Sequence, residues 1–282
     1  MIICHKKEEL RQELDGLGLK NQTLGFVPTM GALHEGHLSL IGIGLKENAK
    51  MVVSIFVNPT QFDNTSDLKK YPRTLEHDLE MLQALSKDVI VYAPTVKDIY
   101  GDTIISERFD FDGLEHQMEG KFRHGHFDGV GTIVKRLFEI VRPDFAYFGE
   151  KDYQQLRIIE KLVEKHQLPV KVVGCDIFRA KDGLAMSSRN QRLTKEHRSA
   201  APFIYETLKT AKKRFGTESA HEVVEWVETQ FEKQALLRLE YFTIADEETL
   251  QPLETKIKTK SYRAFIAVFA GDIRLIDNIK LN

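Results

Sequence analysis

The chain has 282 residues, of which 42% are apolar, enough for one large domain with a sizeable core and a smaller second one. Lys and Arg number 40 and Asp and Glu 42, a net charge of −2, so there is no overall basic field to hold nucleic acid or an anionic membrane. The two cysteines, Cys4 and Cys175, are far apart and in no CxxC pair, which excludes a disulfide framework or a zinc ribbon and points to a reducing cytoplasm.

The first residues, MIICHKKEELRQEL, turn charged at once and lack the apolar core of a secretory signal. No apolar run approaches the roughly 20 residues of a membrane helix. The sequons at 21–23 and 64–66 are therefore read as incidental. TLGFVPT, 23–29, reads as a short strand closing on Pro28. A glycine-bearing turn and a helical run, 37–49, follow. KMVVSIFV, 50–57, is β-branched and apolar and is stopped by Asn58-Pro59, which marks a buried strand. Apolar residues at 75, 79, 82 and 85 give helical spacing over 74–86, with Thr74 as N-cap. A strand at 88–94, a helix at 130–141, a strand at 144–149, a helix at 152–167 and a strand at 169–175 complete an alternating pattern. Such alternation implies an α/β fold with a parallel sheet covered on both faces. The segment 100–128 is rich in charge and glycine and has no clear local period. After about residue 180 the pattern changes to helices near 195–215 and 219–235 and strands at 238–245, 262–270 and 273–279, with AGDI as a hairpin turn. This tail reads as a small α+β domain.

The stretch PTMGALHEGH, 28–37, raises three readings. His34 and His37 could share a helix face and bind a metal, but zinc wants further ligands and the HExxH pattern is not met. Gly31 and Gly36 have the spacing of a Walker A loop, yet His37-Leu38 stand where that loop needs Lys and then Ser or Thr. A strand that ends in a glycine turn and starts a helix with free N–H groups is nonetheless a ready anion site, and imidazole N–H groups there can stabilise charge on phosphate. Three other stretches weigh against a merely solvated loop. LAMSSRN, 184–190, carries two hydroxyls and a guanidinium suited to phosphate oxygens. FGEKD, 148–152, leaves a strand at the carboxyl end of the sheet, where open α/β sheets bind ligands. FVNPTQF, 56–62, places the amides of Asn58 and Gln61 just past a buried strand, although Asn-Pro is also ordinary turn chemistry.

In order and spacing, PTMGALHEGH, IFVNPTQF, YPRTLEHDL, FGEKDYQQL and GLAMSSRNQRL resemble the pantoate–β-alanine ligases. HEGH is similar to the HxGH signature of the nucleotidyltransferase superfamily that includes class I aminoacyl-tRNA synthetases. The resemblance implies a Rossmann-like doubly wound parallel sheet over 1–178, binding ATP and pantoate. It implies a smaller C-terminal α+β lid domain over 179–282 that begins with the MSSRN loop. The implied reaction has two steps: ATP and pantoate give pantoyl adenylate and pyrophosphate, then the amine of β-alanine gives pantothenate and AMP. Cytoplasmic localisation and a homodimer are expected, with no nucleic acid and no membrane partner.

The resemblance also assigns residues. The ATP site is expected to run from Pro28, Thr29 and Met30 through Gly31, Ala32 and Leu33 to His34, Glu35, Gly36 and His37. His34 and His37 are expected on phosphate, with His37 as proton donor and transition-state stabiliser. Gly149, Glu150, Lys151 and Asp152 are expected to hold the nucleotide, with Lys151 on a phosphate. Met186, Ser187, Ser188 and Arg189 are expected to close over the triphosphate. Gln61 and Gln155 are expected to read pantoate, with Gln61 also open to β-alanine, and Asn58 to support the β-alanine or phosphate region. Tyr71, Arg123 and His126 are further candidates near the small substrates. Phe178 lies in 177–181, expected near the adenine; there Ala180 and Lys181 follow Arg179 where the family often has an acidic residue. The segment 100–128 is expected to cover the site and to be mobile. Mg2+ is expected to arrive on the ATP phosphates, with no protein-only metal cage. Step one needs alignment and charge stabilisation and no protein nucleophile, and both cysteines read as core residues. Two other functions are compatible with parts of the pattern. One is a different adenylyltransferase on the same fold, which would need basic residues in place of the two glutamines. The other is a non-catalytic nucleotide-binding regulator, which would be expected to lose parts of the constellation.

Overall fold

The computed structural model describes residues 1–19, 21–62 and 65–282, without the side chains of 65–67; the second sequon therefore begins outside the described residues. These residues divide into two compact units, Met1–Glu150 with Gln154–Asp176, and Lys151–Tyr153 with Ile177–Asn282.

In the first unit the strands are β1 (Ile2–Cys4), β2 (Leu24–Thr29), β3 (Lys50–Ile55), β4 (Val89–Tyr92), β5 (Phe145–Gly149) and β6 (Lys171–Cys175). They form one sheet in the order β1-β4-β3-β2-β5-β6, and all pairs are parallel. The helices of this unit are α1 (Lys7–Gly16), α2 (Glu35–Glu47), α3 (Thr65–Lys70), α4 (Leu75–Leu85), α5 (Val96–Tyr100), α6 (Met118–Phe122), α7 (His126–Val141) and α8 (Tyr153–His166, from Gln154 onward). The apolar runs of β2, β3 and β4 are buried on both faces, as a parallel sheet requires. A Cβ at Gly44 of α2 would lie 2.6 Å from Met51 and 3.1 Å from Tyr147, so glycine there lets α2 lie close on the sheet. Cys4 and Cys175 are buried and free, and burial pushes both thiols up to about 11.

The chain winds from β2 outward to β3 and β4, then returns to β5 on the other side of β2 and continues to β6. The switch point is therefore between β2 and β5, and ligands bind at the carboxyl ends there in open α/β sheets. The ladder itself opens at this place. Pairing of β2 with β5 covers only Gly25 and Phe26, whereas pairing with β3 continues to Thr29. Pro28, which lacks an N–H, sits beyond the β5 ladder, where a proline in a central strand costs no bond on that side.

The second unit holds β7 (Leu237–Asp246), β8 (Tyr262–Ala270) and β9 (Ile273–Lys280) in an antiparallel sheet of that order. Helices α9 (Lys195–Ala200), α10 (Phe203–Phe215) and α11 (Ala220–Glu232) precede it. Its core packs Ile204, Leu208, Val223 and Val227 against Ile244, Ile266 and Val268. Gly271, at φ +59°, makes the expected hairpin turn.

Most expected elements agree to within a few residues. The single run expected over 195–215 is two helices, because the chain turns at Ala201-Pro202. Strand β1 and helix α1 were not expected. Ile2 and Ile3 are exposed, and a three-residue strand followed by charge carries no period to read. The segment 100–128 contains α6 and a short 3-10 turn at Leu114–His116.

Candidate active site

The turn after β2 is built by groups from three parts of the chain. Gly31 and Ala32 both have positive φ, +78° and +49°. The Thr29 hydroxyl donates to the Ser54 carbonyl at 2.7 Å and accepts from the Gly31 N–H at 3.2 Å. Asp78 of α4, fully buried, accepts the N–H groups of Ala32 and Leu33 at 3.0 and 2.8 Å. A Cβ on Gly31 would stand 3.0 Å from Asp78 Oδ2 and 3.1 Å from Ile55, so residue 31 needs glycine for space as well as for φ. Thr74 occupies the N-cap position of α4, but its hydroxyl goes to Asp78 Oδ1 at 3.2 Å instead of capping the backbone.

His34 is the N-cap of α2, and its Nδ1 accepts the Gly36 N–H at 3.1 Å. A backbone N–H can only donate, so the neutral ring carries its proton on Nε2. The rings of His34 and His37 stack with centroids 4.0 Å apart. Glu35 and Gly36 open the helix. The start of α2 thus combines the positive end of a helix with two adjacent imidazoles, an arrangement that favours an anion.

Past β3, Asn58 precedes and Gln61 ends a 3-10 turn, Pro59–Gln61, and both are buried. The N-terminal half of α7 presses on this turn. A Cβ at Gly129 would lie 2.3 Å from the Thr60 carbonyl oxygen. Asn58 Nδ2 donates to the Gly129 carbonyl and to Gln61 Oε1, each at 3.1 Å, and Gln61 Nε2 lies 2.9 Å from Met30 Sδ. His126, also buried, bonds the Gln61 carbonyl through Nδ1 at 2.8 Å. That fixes the proton on Nδ1 and leaves Nε2 to accept from Arg123 Nη1 at 3.0 Å. Tyr71 is buried with its ring edge-on to Phe62. Asn58, Gln61, Arg123, His126 and Met30 thus form one connected group.

After β5 the two glutamines of YQQL separate in role. Gln154 is buried, accepts the Glu119 N–H at 3.0 Å and donates to the carbonyls of Leu114 and Gln117 at 2.8 Å. It organises the 114–119 segment, and Gln155 is only partly buried. Gly149 ends β5 with nothing in the space a Cβ would fill, and Glu150 follows it in the first unit.

Lys151 and Asp152 fold with the second unit. Lys151 Nζ is 3.5 Å from Asp152 Oδ2, and the Lys151 carbonyl accepts from Asn278 Nδ2 of β9 at 2.9 Å. Asn278 Oδ1 takes a bond from Arg263 Nη1 at 2.6 Å, and the same guanidinium lies 3.9 Å from the Tyr153 ring centroid. The loop 186–189 stands on a small stem. Arg179 and Ala185 bridge, and Met186 N–H donates to the Phe178 carbonyl at 3.0 Å. Arg179 makes a two-pronged bond to Asp277 at 2.6 and 2.9 Å and lies 3.7 Å from the Tyr205 ring centroid. Burial pushes the Asp277 carboxyl up, while the Arg179 guanidinium and the Asn278 N–H pull it down. Gly183, at φ +92°, would put a Cβ 2.6 Å from Tyr205. Ser187 caps the following 3-10 helix by accepting the Arg189 N–H at 3.3 Å, so its own hydroxyl proton is still available to a ligand. Ser188 is buried, and Phe178 has an exposed ring.

The order of motifs, the switch point and this geometry coincide with one family. A family model described as pantoate-beta-alanine ligase matches residues 2–280. The chain belongs to the pantoate–β-alanine ligase family. A pantothenate synthetase from Flavobacterium psychrophilum is 59% identical over 281 residues, covering all of both chains. The crystal structure of the pantothenate synthetase from Thermus thermophilus superposes with a TM-score of 0.91 at 39% identity, covering 100% of this chain and 99% of that one. The family's ligase from Francisella tularensis, complexed with β,γ-ATP and β-alanine, gives a TM-score of 0.80 at 36% identity, with 100% and 98% covered.

Sequence reasoning missed several supporting residues of this family member. Asp78 stood inside the quoted YPRTLEHDL stretch, but as one polar position of an amphipathic helix it gave no hint of its two backbone partners. Gly129 and Asn278 had no motif around them.

Proposed function

We propose that this chain makes pantothenate in two steps on the face of the sheet where β2 and β5 part. A pantoate carboxylate oxygen attacks the α-phosphorus of ATP, and pyrophosphate leaves. The amine of β-alanine then attacks the acyl carbon of pantoyl adenylate, and AMP leaves with the bridging oxygen. The observation that carries this reading is the turn at 30–37. Its backbone is pinned by the buried Asp78, and it presents the α2 N-terminus and two stacked histidines at the switch point.

His34 and His37 act on phosphate, where preorganised N–H donors stabilise charge that builds in the transition state. Lys151 adds a cation, and Met186, Ser187, Ser188 and Arg189 add hydroxyl and guanidinium donors to the triphosphate. Gln61 and Gln155 read pantoate, with Asn58 behind Gln61, and Tyr71, Arg123 and His126 bound the small-substrate region. Phe178 offers an exposed ring to the adenine. The second domain, from 179 onward, acts as the lid.

The buried Asp78 is committed to two backbone N–H groups, and the other polar groups named here are amides, imidazoles, hydroxyls and cations. This set fits magnesium held by ATP phosphates better than a protein cage. Bound there, the metal would neutralise charge on the pyrophosphate. We further propose a homodimer in the cytoplasm. Among the described residues no helix is long and apolar enough to cross a membrane.

The test is pyrophosphate release from ATP and magnesium. With pantoate alone, a burst of about one equivalent per site is expected, because the adenylate stays bound. Adding β-alanine turns the burst into steady turnover. Release that ignores pantoate would overturn the substrate assignment.

A further inference from the structure

We propose that Tyr100 is a positioning residue that sets, through Asn58, which end of the Gln61 amide faces the substrate, so that this part of the site presents an N–H donor. The inference rests on the reading above in which Gln61 meets pantoate.

The polarity follows from which atoms can only donate and which can only accept. The Gly129 carbonyl can only accept, and it lies 3.1 Å from the Asn58 side chain. The end of the Asn58 amide facing α7 is therefore its nitrogen. Its oxygen must then face the other way, and two hydroxyls meet it there. Tyr100 donates to Asn58 Oδ1 at 2.6 Å, and Thr60 reaches the same oxygen at 3.1 Å. The second hydrogen of Asn58 Nδ2 goes to Gln61 Oε1 at 3.1 Å. With its oxygen committed, Gln61 turns its Nε2 toward Met30, at 2.9 Å from the sulfur. A thioether is a weak acceptor, so a substrate oxygen can take its place at little cost.

Asn58 is 1% exposed and Tyr100 7%. Flipping Asn58 would set its oxygen against the Gly129 carbonyl, and flipping Gln61 would set its N–H against that of Asn58; in a buried site an unmet polar group is costly. Burial holds the Tyr100 hydroxyl above the usual tyrosine range, so it keeps the proton it donates. The ring is held by Arg136, whose guanidinium lies 4.6 Å from the ring centroid and donates to the Ile99 carbonyl at 2.9 Å. Tyr100 ends α5, in a stretch that belongs to none of the motifs read from the sequence.

The polarity selects which group can face Gln61: an oxygen, and not the ammonium group of the amino acid. An outward N–H welcomes the carboxylate or hydroxyl oxygen of the acid. An outward carbonyl would welcome the ammonium group of the amino acid. Tyr100 thus helps the pocket take the acid in the place where adenylation needs it.

The experiment is a double-mutant cycle on the full-length enzyme with Tyr100→Phe, Gln61→Ala and the pair, measuring KM for pantoate, β-alanine and ATP. Tyr100→Phe keeps the ring and is expected to raise the pantoate KM about three- to tenfold, the scale of one net hydrogen bond, with the ATP KM unchanged. In the Gln61→Ala background the same change is expected to add nothing, because coupled residues are not additive. If Gln61→Ala leaves the pantoate KM unchanged, the reading of Gln61 itself fails. If Gln61→Ala weakens pantoate but Tyr100→Phe has no effect, or the same effect in both backgrounds, Gln61 stands and the role of Tyr100 is overturned. Should Tyr100→Phe not fold, Thr60→Val removes the other hydroxyl from Asn58 Oδ1. It must then give a smaller rise in the pantoate KM that vanishes with Gln61→Ala; an unchanged pantoate KM, or a rise that persists in that background, overturns the proposal.

Discussion

The turn at 30–37 and the loop at 186–189 are both proposed to meet phosphate, and they are held in different ways. The first is tied directly. The Thr29 hydroxyl and the buried carboxylate of Asp78 take three of its N–H groups, so the backbone itself is fixed. The second is tied at its base. Its stem is clamped by the pair of Arg179 with Asp277, while the loop has local bonds such as Ser187 Oγ with Arg189 N–H and Asn190 Nδ2 with the Ala185 carbonyl. A turn fixed at its own N–H groups suits a donor array that must not reorganise during reaction. A loop fixed at its stem suits a segment that admits ATP and then gathers around it.

Removing either anchor should separate the two modes. The largest expected effect is on the stem. Asp277→Ala takes the buried carboxylate away from the partly buried Arg179 guanidinium and should lower stability by about 3 kcal/mol. Trp226 of α11, the single tryptophan of the chain, reports on that unit, so the shift is read in its urea-induced fluorescence transition. A midpoint equal to wild type would remove the clamp from the account. Next comes His37→Ala, which should slow adenylate formation about 100-fold, the scale of losing one preorganised donor, at an unchanged urea midpoint. Rapid-quench measurement of the adenylate decides this, and wild-type rates would take His37 out of the chemistry. Asp78→Asn should cost about 2 kcal/mol, because an amide can accept only through one oxygen and leaves a buried N–H unmet. It should also slow the same step, although Asp78 touches no substrate. Loss of stability with a wild-type adenylation rate would show that the turn need not be pinned. The smallest effect is expected for Ser187→Ala: about 1 kcal/mol of stability for the lost cap, read in the urea midpoint, together with a raised KM for ATP from the lost hydroxyl donor. An unchanged ATP KM would leave Ser187 with a cap and no ligand.

What was legible in the sequence follows the same division. The strands at 50–55 and 89–92 are short β-branched apolar runs with turn signals at their ends, and that local composition finds them. The glycines and histidines of 31–37 read as an anion turn because the residue types carry the chemistry with them. Their supports did not show. Asp78 reaches Leu33 across 45 positions and Asp277 reaches Arg179 across 98, and no local pattern encodes a partner at that distance. Gln154 and Gln155 stand side by side in the motif, yet only the fold separates the one that holds the 114–119 segment from the one proposed to read pantoate. Tyr100 was hidden for a related reason. Its role depends on which end of an amide faces which carbonyl, and that is decided by Gly129 on another helix.

The central claim is that a pantoate oxygen attacks the α-phosphate at the β2 turn. The most direct measurement uses pantoate labelled with 18O in its carboxylate, turned over with ATP, magnesium and β-alanine. One labelled oxygen is expected in the phosphate of AMP, with none in pyrophosphate, because the oxygen that bridges the adenylate leaves with AMP. Unlabelled AMP, with the label in phosphate or pyrophosphate, would mean attack at another phosphorus and would contradict the account.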